Sequence, residues 1–251
     1  MPLALIVARF VNIPWQYPVA PAHKLPLLLP LYLLAPLAVE LYRRYGHGDT
    51  WASYGVTGSV QTLATLGTGM GIGLVGVAIL VGVQVALGWR QWRPDGQEFP
   101  ATSPALLVAL PILMLFIGWV EELIFRGVLV NGLLTVLPWT GVAILASAIF
   151  AVSHLVWDGP AGMPSLLGLG LMGLVLLLGR WAMAGDLSLA WGLHTGWILA
   201  IALIDALHLT RPVPHAPRLA GKPDQPLTGL PALGLMVLTG LGIVAYTLWL
   251  R

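Results

Sequence analysis

Residues 104–127 read PALLVALPILMLFIGWVEELIFRG. From Pro104 to Val120 the stretch holds no charged residue, and then Glu121, Glu122 and Arg126 follow within two helical turns. An apolar run of about 20 residues crosses about 30 Å of hydrocarbon as a helix, which satisfies its own backbone hydrogen bonds within the segment. A charged side chain at the centre of such a helix costs about 2.5–3.5 kcal/mol on insertion scales, so two acids and a base there read as a functional site by default.

Six further apolar runs flank this one, near 25–42, 68–89, 139–157, 165–184, 188–208 and 230–250. The chain of 251 residues is 58% hydrophobic and 9% charged, with a mean hydropathy of +0.87. Soluble domains carry about a quarter of their residues as charges, so neither a soluble globule nor a disordered chain fits. The expected fold is an all-α, polytopic transmembrane bundle of seven or eight helices, one membrane domain spanning 1–251. Residues 1–24 read as an N-terminal interfacial segment: Arg9 interrupts the apolar Met1–Ile13, Pro14, Pro18 and Pro21 follow, and no basic region precedes it as in a signal peptide. Residues 43–67 mix charge, glycine and aromatics and are expected along the membrane surface, whereas 90–103 and 209–229 read as aqueous loops. Basic residues counted on alternate sides, Arg126 apart, divide seven to four and place the N-terminus in the cytoplasm if there are seven spans.

The net charge of +2 is scattered between apolar runs with no basic stripe, which excludes nucleic acid as a partner and leaves membrane lipid. The chain has no cysteine, so thiol nucleophiles and thiolate metal sites are absent and chemistry falls to His, Glu, Asp, Ser or Arg. On a helix Glu122 and Arg126 are four apart and stack as an ion pair, while Glu121 points about 100° away and is free to meet another helix. His154 and His194 lie within two later apolar runs, and Asp205 follows near the end of the second. A bundle can bring Glu121, His154 and His194 to one point. Two His and one Glu with an open position make a catalytic Zn²⁺ site. A desolvated Glu polarising water directly, with the imidazoles assisting, is the alternative. Both hydrolyse, and both stay open on the residues alone.

Glu121-Glu122-x-x-x-Arg126, Phe150-x-x-x-His154 and the later His194, in this order, resemble the three motifs of the CPBP family, which contains the CAAX prenyl proteases and the Abi-type bacteriocin-processing and self-immunity proteins. The resemblance covers roughly residues 104–208 as a catalytic core. It implies an intramembrane endopeptidase, of metallo or glutamate type, in which Glu121 is base or ligand, Glu122 and Arg126 support it, and His154 and His194 complete the catalytic or Zn²⁺ set. The implied substrate is a membrane-associated protein or peptide, prenylated among the candidates, and the implied location a bacterial inner membrane. The third motif often reads His-x-x-x-Asn, and here Ile198 stands at the Asn position. Thr195 and Asn131 are candidate replacements for the missing amide, while Asp205 is placed to line an access cavity.

Each feature has a plainer reading. A lone intramembrane His is often a packing hydrogen-bonder, and Glu122–Arg126 can be a structural ion pair. His23, His47, His208 and His215 lie in loops or at span ends. Gly71-x-Gly73-x-x-Gly76 and Gly168-x-Gly170-x-x-Gly173 spell a dinucleotide fingerprint but sit inside apolar runs, where small residues serve helix packing. Tryptophans near span ends, such as Trp15, Trp51, Trp89, Trp92 and Trp139, read as interfacial anchors. No His-Glu-x-x-His, Gly-x-Ser-x-Gly or Gly-x-Gly-Asp occurs, which removes the other intramembrane protease chemistries. An inactive scaffold or immunity-type protein of the same fold is the alternative to an enzyme. A proton-coupled transporter is disfavoured by the scarcity of polar residues along the spans.

Overall fold

Ser103 begins the helix that carries the double acid: its side chain accepts from the Leu106 amide at 3.2 Å, capping the first turn. A computed structural model describes the chain except for residues 1, 11, 14–16, 48, 94–102, 214–215, 222–227 and 250–251. Its elements, in order, are α1 (Pro2–Phe10), α2 (Pro21–Tyr42), α3 (Val60–Ala86), β1 (Arg90–Trp92), α4 (Pro104–Glu121), a π-helical segment (Glu122–Leu129) and α5 (Val130–Leu134). There follow α6 (Trp139–Ser153), α7 (Leu155–Asp158), α8 (Leu166–Ala182), α9 (Ser188–Ala206), β2 (Thr210–Pro212), α10 (Pro217–Ala220) and α11 (Leu230–Trp249).

Each of the seven apolar runs forms a helix, and among the described residues six stretches are long and apolar enough to cross a membrane. The fourth stretch, Trp139–Ala182, contains both α6 and α8, which return on each other through α7 and a 3-10 turn at Gly159–Ser165. The chain is a polytopic, all-α membrane protein. Exposed apolar side chains such as Leu37, Val75, Ile79, Ile112, Ile144 and Leu241 supply the outward face that lipid covers.

Two expected boundaries differ. The run read as ending near 122 continues through the π segment to Leu134, because Glu122 and Arg126 pair within the helix instead of leaving it for water. Helix α3 starts at Val60, not near 68, with Ser59 accepting from the Thr62 amide at 3.1 Å; Gln61, Thr62 and Thr65 disguise its first turns as a surface segment. The N-terminal segment holds the short helix α1, whose Val7 and Ala8 bury with Val19, which precedes α2, and with Leu27 of α2. Of the two long polar connections, Arg90–Trp92 and Thr210–Pro212 form an antiparallel two-stranded ribbon, pairing Gln91 with Arg211. Pro94–Thr102, Pro214, His215, Lys222 and Pro223 lie outside the described residues.

Helix α9 is the buried centre, with every side chain from Gly192 to Trp197 inside the protein. It starts where Asp186 Oδ1 accepts the Ser188 amide at 2.7 Å, a hydrogen bond that gives this acid a structural task. Trp191 Nε1 donates to the Leu115 carbonyl at 2.8 Å, tying α9 to α4. Against α3 the approach is backbone to backbone. A Cβ added at Gly192 would lie 2.2 Å from the Leu66 carbonyl oxygen, and one at Gly196 2.5 Å from that of Met70, so the close packing exists only because these positions lack side chains. The reciprocal positions on α3 are Gly69 and Gly73. Of the glycines in the fingerprint-like patterns, Gly73 and Gly173 make such close contacts, whereas Gly71 and Gly170 face open space.

Tyr54, just before α3, is buried against Leu123 and Val39, and burial together with its 2.8 Å hydrogen bond to Asp49 pushes the phenol up to about 12. It pins the 43–59 connection onto the helix that carries the acids.

Candidate active site

The double acid sits where α4 changes to π winding. A π segment inside an α-helix is rare and marks functional positions, because its i→i+5 bonding displaces side chains and carbonyls from their α positions. Here Arg180 of α8 compensates: Nη1 donates to the Arg126 carbonyl, Nε to the Gly185 carbonyl at 3.1 Å, and Nη2 to Asn131 Oδ1 at 2.6 Å. Asn131 in turn donates to the Ser53 carbonyl at 2.7 Å. Asn131 therefore belongs to the scaffold of the π segment and does not replace the missing motif amide.

Glu122 is fully buried and Arg126 nearly so. Arg126 Nη1 donates to Glu122 Oε1 at 2.9 Å, Nη2 donates to the Gly173 carbonyl at 3.3 Å, and the guanidinium carbon stands 4.2 Å from the Phe150 ring centroid. The expected i,i+4 pair is present. The same Glu122 oxygen also takes His194 Nδ1 at 2.7 Å, so Glu122 does more than neutralise its own helix. A carboxylate on Nδ1 sets the tautomer: Nδ1 carries the proton, and in the neutral ring Nε2 is the acceptor. That Nε2 faces Glu121 Oε2 at 3.6 Å.

Glu121 meets other helices, as expected from its angle to Glu122. Its Oε1 accepts from the hydroxyl of Tyr32 in α2, and its Oε2 is buried with no hydrogen-bond partner among the described residues. His154 caps the end of α6, its Nδ1 2.8 Å from the Phe150 carbonyl, which again leaves Nε2 as the acceptor in the neutral ring. Phe150 organises both imidazoles: the His154 and His194 ring centroids lie 4.9 Å and 6.0 Å from its own, at steep interplanar angles.

Two cavities meet at Glu121 and His154. One, of about 180 Å³, adds His194 and an apolar wall that includes Met172, Trp197 and Ile198, and reaches Asp205 and Arg90 at its far end. The other, of about 360 Å³, lies beneath α2 and opens beside Lys24 and Asp158, which form an ion pair. Asp205 lines the first cavity, as expected. Arg90, buried at the root of the ribbon, donates to Thr210 Oγ1 at 2.9 Å and to the Ala220 carbonyl at 3.3 Å, and burial holds its pKa below the usual arginine value while the charge of Asp205 opposes that shift. Ile198 puts a hydrocarbon on the cavity wall at the position where the motif has an amide. Thr195 is buried and does not line that cavity; it stands against Gly118 of α4, where an added Cβ would lie 2.7 Å from its Oγ1. Thr195 thus packs two helices together.

The expected Zn²⁺ set is not gathered. Glu121 Oε2 is buried, unpartnered and turned toward His194 Nε2, as two ligands would be, but among the described residues no three His, Asp or Glu side chains converge on one point. His154 is held instead by its own helix carbonyl and the Phe150 ring. Sequence reasoning missed Tyr32 and Arg180. Tyr32 is one aromatic residue in a leucine- and proline-rich run, and Arg180 at the end of an apolar helix reads as a span-end charge.

A polytopic helical bundle with a Glu/His cluster held among its helices defines a class, that of membrane proteins with ionisable groups buried within the bundle. Residues 103–200, from the cap of α4 to Ala200 in α9, match the family model described as Rce1-like, the type II CAAX prenyl endopeptidase Rce1-like family. The match agrees with the CPBP resemblance, covers Glu121, Glu122, Arg126, His154 and His194, and supports a hydrolase of the protease kind. No curated protein and no solved structure matches the chain.

Proposed function

We propose that the protein is an intramembrane endopeptidase that hydrolyses a peptide bond with water activated by Glu121. The observation that carries this reading is the buried, unpartnered Oε2 of Glu121 facing His194 Nε2 at 3.6 Å, while Glu122 holds the other side of that imidazole at 2.7 Å. Glu121 accepts a proton from water as the water oxygen attacks the scissile carbonyl, and then delivers it to the leaving amine. His194, when doubly protonated, donates from Nε2 to the developing oxyanion, with Glu122 and Arg126 holding the ring in place. His154, at the junction of the two cavities, orients water or the carbonyl.

The substrate is a membrane-associated protein or peptide that reaches Glu121 through the membrane. The family description points to prenylated chains ending in a CAAX sequence, and a bacterial inner membrane is the proposed setting. A second reading, an inactive scaffold of the same fold, is favoured by Ile198, which offers the cavity no hydrogen-bond donor. Comparing peptide termini in the membrane proteome of the host, wild type against a Glu121→Ala strain with equal protein, separates the two. A terminus lost in the variant supports proteolysis and names the substrate, whereas identical termini under several growth conditions favour the scaffold.

A further inference from the structure

Among the described residues outside 103–200, one side chain hydrogen-bonds the proposed base. Tyr32 donates its hydroxyl to Glu121 Oε1 from α2, a helix that is otherwise peripheral. Leu33, Leu34, Leu37 and Leu41 of α2 are exposed and apolar. Its inward attachments include Val39 near its C-terminal end, buried with Tyr54 and Leu123. Near its start Leu27 is buried against Val7, Ala8 and Val19, and Lys24 pairs with Asp158. One face of the helix then roofs the cavity of about 360 Å³, where Tyr32 meets Glu121. Pro36 brings no N–H to the Tyr32 carbonyl, which loosens the helix at the turn carrying the hydroxyl.

We propose that Tyr32 is a positioning residue for the reaction: by holding Glu121 Oε1 it leaves Oε2 as the oxygen that faces His194 Nε2 and takes the proton from water. This rests on Glu121 acting as the base. A glutamate has three side-chain torsions before its carboxylate, and either oxygen can face the cavity unless one is tied. Among the described residues the hydroxyl of Tyr32 is the donor that ties Oε1, while Oε2 has none. Glu122 orients the imidazole and Tyr32 orients the carboxylate opposite it, so the geometry between base and imidazole is set from two sides. The second of these comes from a segment that the family match does not cover.

The test is Tyr32→Phe in the purified full chain, which keeps the ring and its packing and removes only the hydroxyl. The probe is a peptide spanning the terminus lost in the Glu121→Ala strain. kcat should fall about ten- to hundredfold, the effect of losing one charge-assisted hydrogen bond on a reacting group, with KM and melting temperature unchanged. Wild-type kcat overturns the inference, and so does a change in melting temperature or KM alone, which is what a mere strap for α2 would give. A readout without substrate runs beside it: the carboxyl infrared bands of Glu121, isolated as wild type minus Glu121→Gln, should move in Tyr32→Phe, and unmoved bands overturn the inference. If Glu121→Gln cleaves the peptide at the wild-type rate, the base assignment fails and takes this inference with it. An inactive Glu121→Gln beside a fully active Tyr32→Phe overturns this inference alone.

Discussion

Replacing Arg126 with methionine keeps much of the side-chain volume and removes the one guanidinium paired with Glu122. Both partners are out of reach of solvent, at 2% and 0% exposure, and their 2.9 Å contact is not screened. Removing one member of a buried pair costs about 3–5 kcal/mol, because the charge left behind has no water to return to. The contact of the guanidinium with the Phe150 ring adds to the loss. Against this, Glu122 keeps its bond to His194, so the total should stay within that range. At about 1.4 kcal/mol per factor of ten, a loss near 4 kcal/mol raises the unfolded fraction by about three powers of ten. The assay is reversible unfolding in mixed micelles, read by tryptophan fluorescence, for Arg126→Met, Glu122→Gln and the double variant. If the cost is that of an orphaned charge, the double variant should be more stable than Arg126→Met. A double variant no more stable than Arg126→Met, or an Arg126→Met protein as stable as wild type, would refute the argument.

Two further outcomes follow from the packing and the donor geometry. Gly192→Ala places a Cβ 2.2 Å from the Leu66 carbonyl oxygen, a backbone atom that cannot swing aside, so α3 and α9 must separate. That should destabilise the fold by about 1–3 kcal/mol and, since His194 lies one turn or less from the contact, reduce cleavage beyond the loss of folded protein; Gly170→Ala, which faces open space, serves as the control and should do neither. Because Glu121, His154 and His194 do not converge as a ligand set, cleavage by the purified protein should survive exhaustive treatment with a zinc chelator, with metal content followed by mass spectrometry. Activity lost to the chelator and restored by Zn²⁺ alone would show that the three side chains close on a metal.

The membrane class was legible because hydrocarbon imposes a one-dimensional rule. A segment that must satisfy its own backbone is a helix of a certain length, and length and hydropathy are properties of the sequence. The Glu122–Arg126 pair was legible for a similar reason, since positions four apart on a helix are neighbours whatever the rest of the chain does. The family motifs singled out His154 and His194 among six histidines. Helix ends were less legible where polarity misled: charges paired within the helix looked like its end at 122, and hydroxyl side chains hid its beginning at Val60.

What the sequence determined by itself was thus local: which segments are helices in lipid, and which ionisable residues are too costly to be there without a purpose. Tertiary structure alone decided how those residues divide the work. It placed His194 between the two glutamates, with Nδ1 on Glu122 and Nε2 toward Glu121, held His154 Nδ1 at its own helix carbonyl, and put Ile198 on the cavity wall. It also brought Tyr32 across 89 positions to Glu121 and Arg180 across 54 to the carbonyl of Arg126. No periodicity encodes such meetings, because they depend on how helices cross. Here the crossing of α3 and α9 depends on glycines whose missing side chains let the two backbones touch.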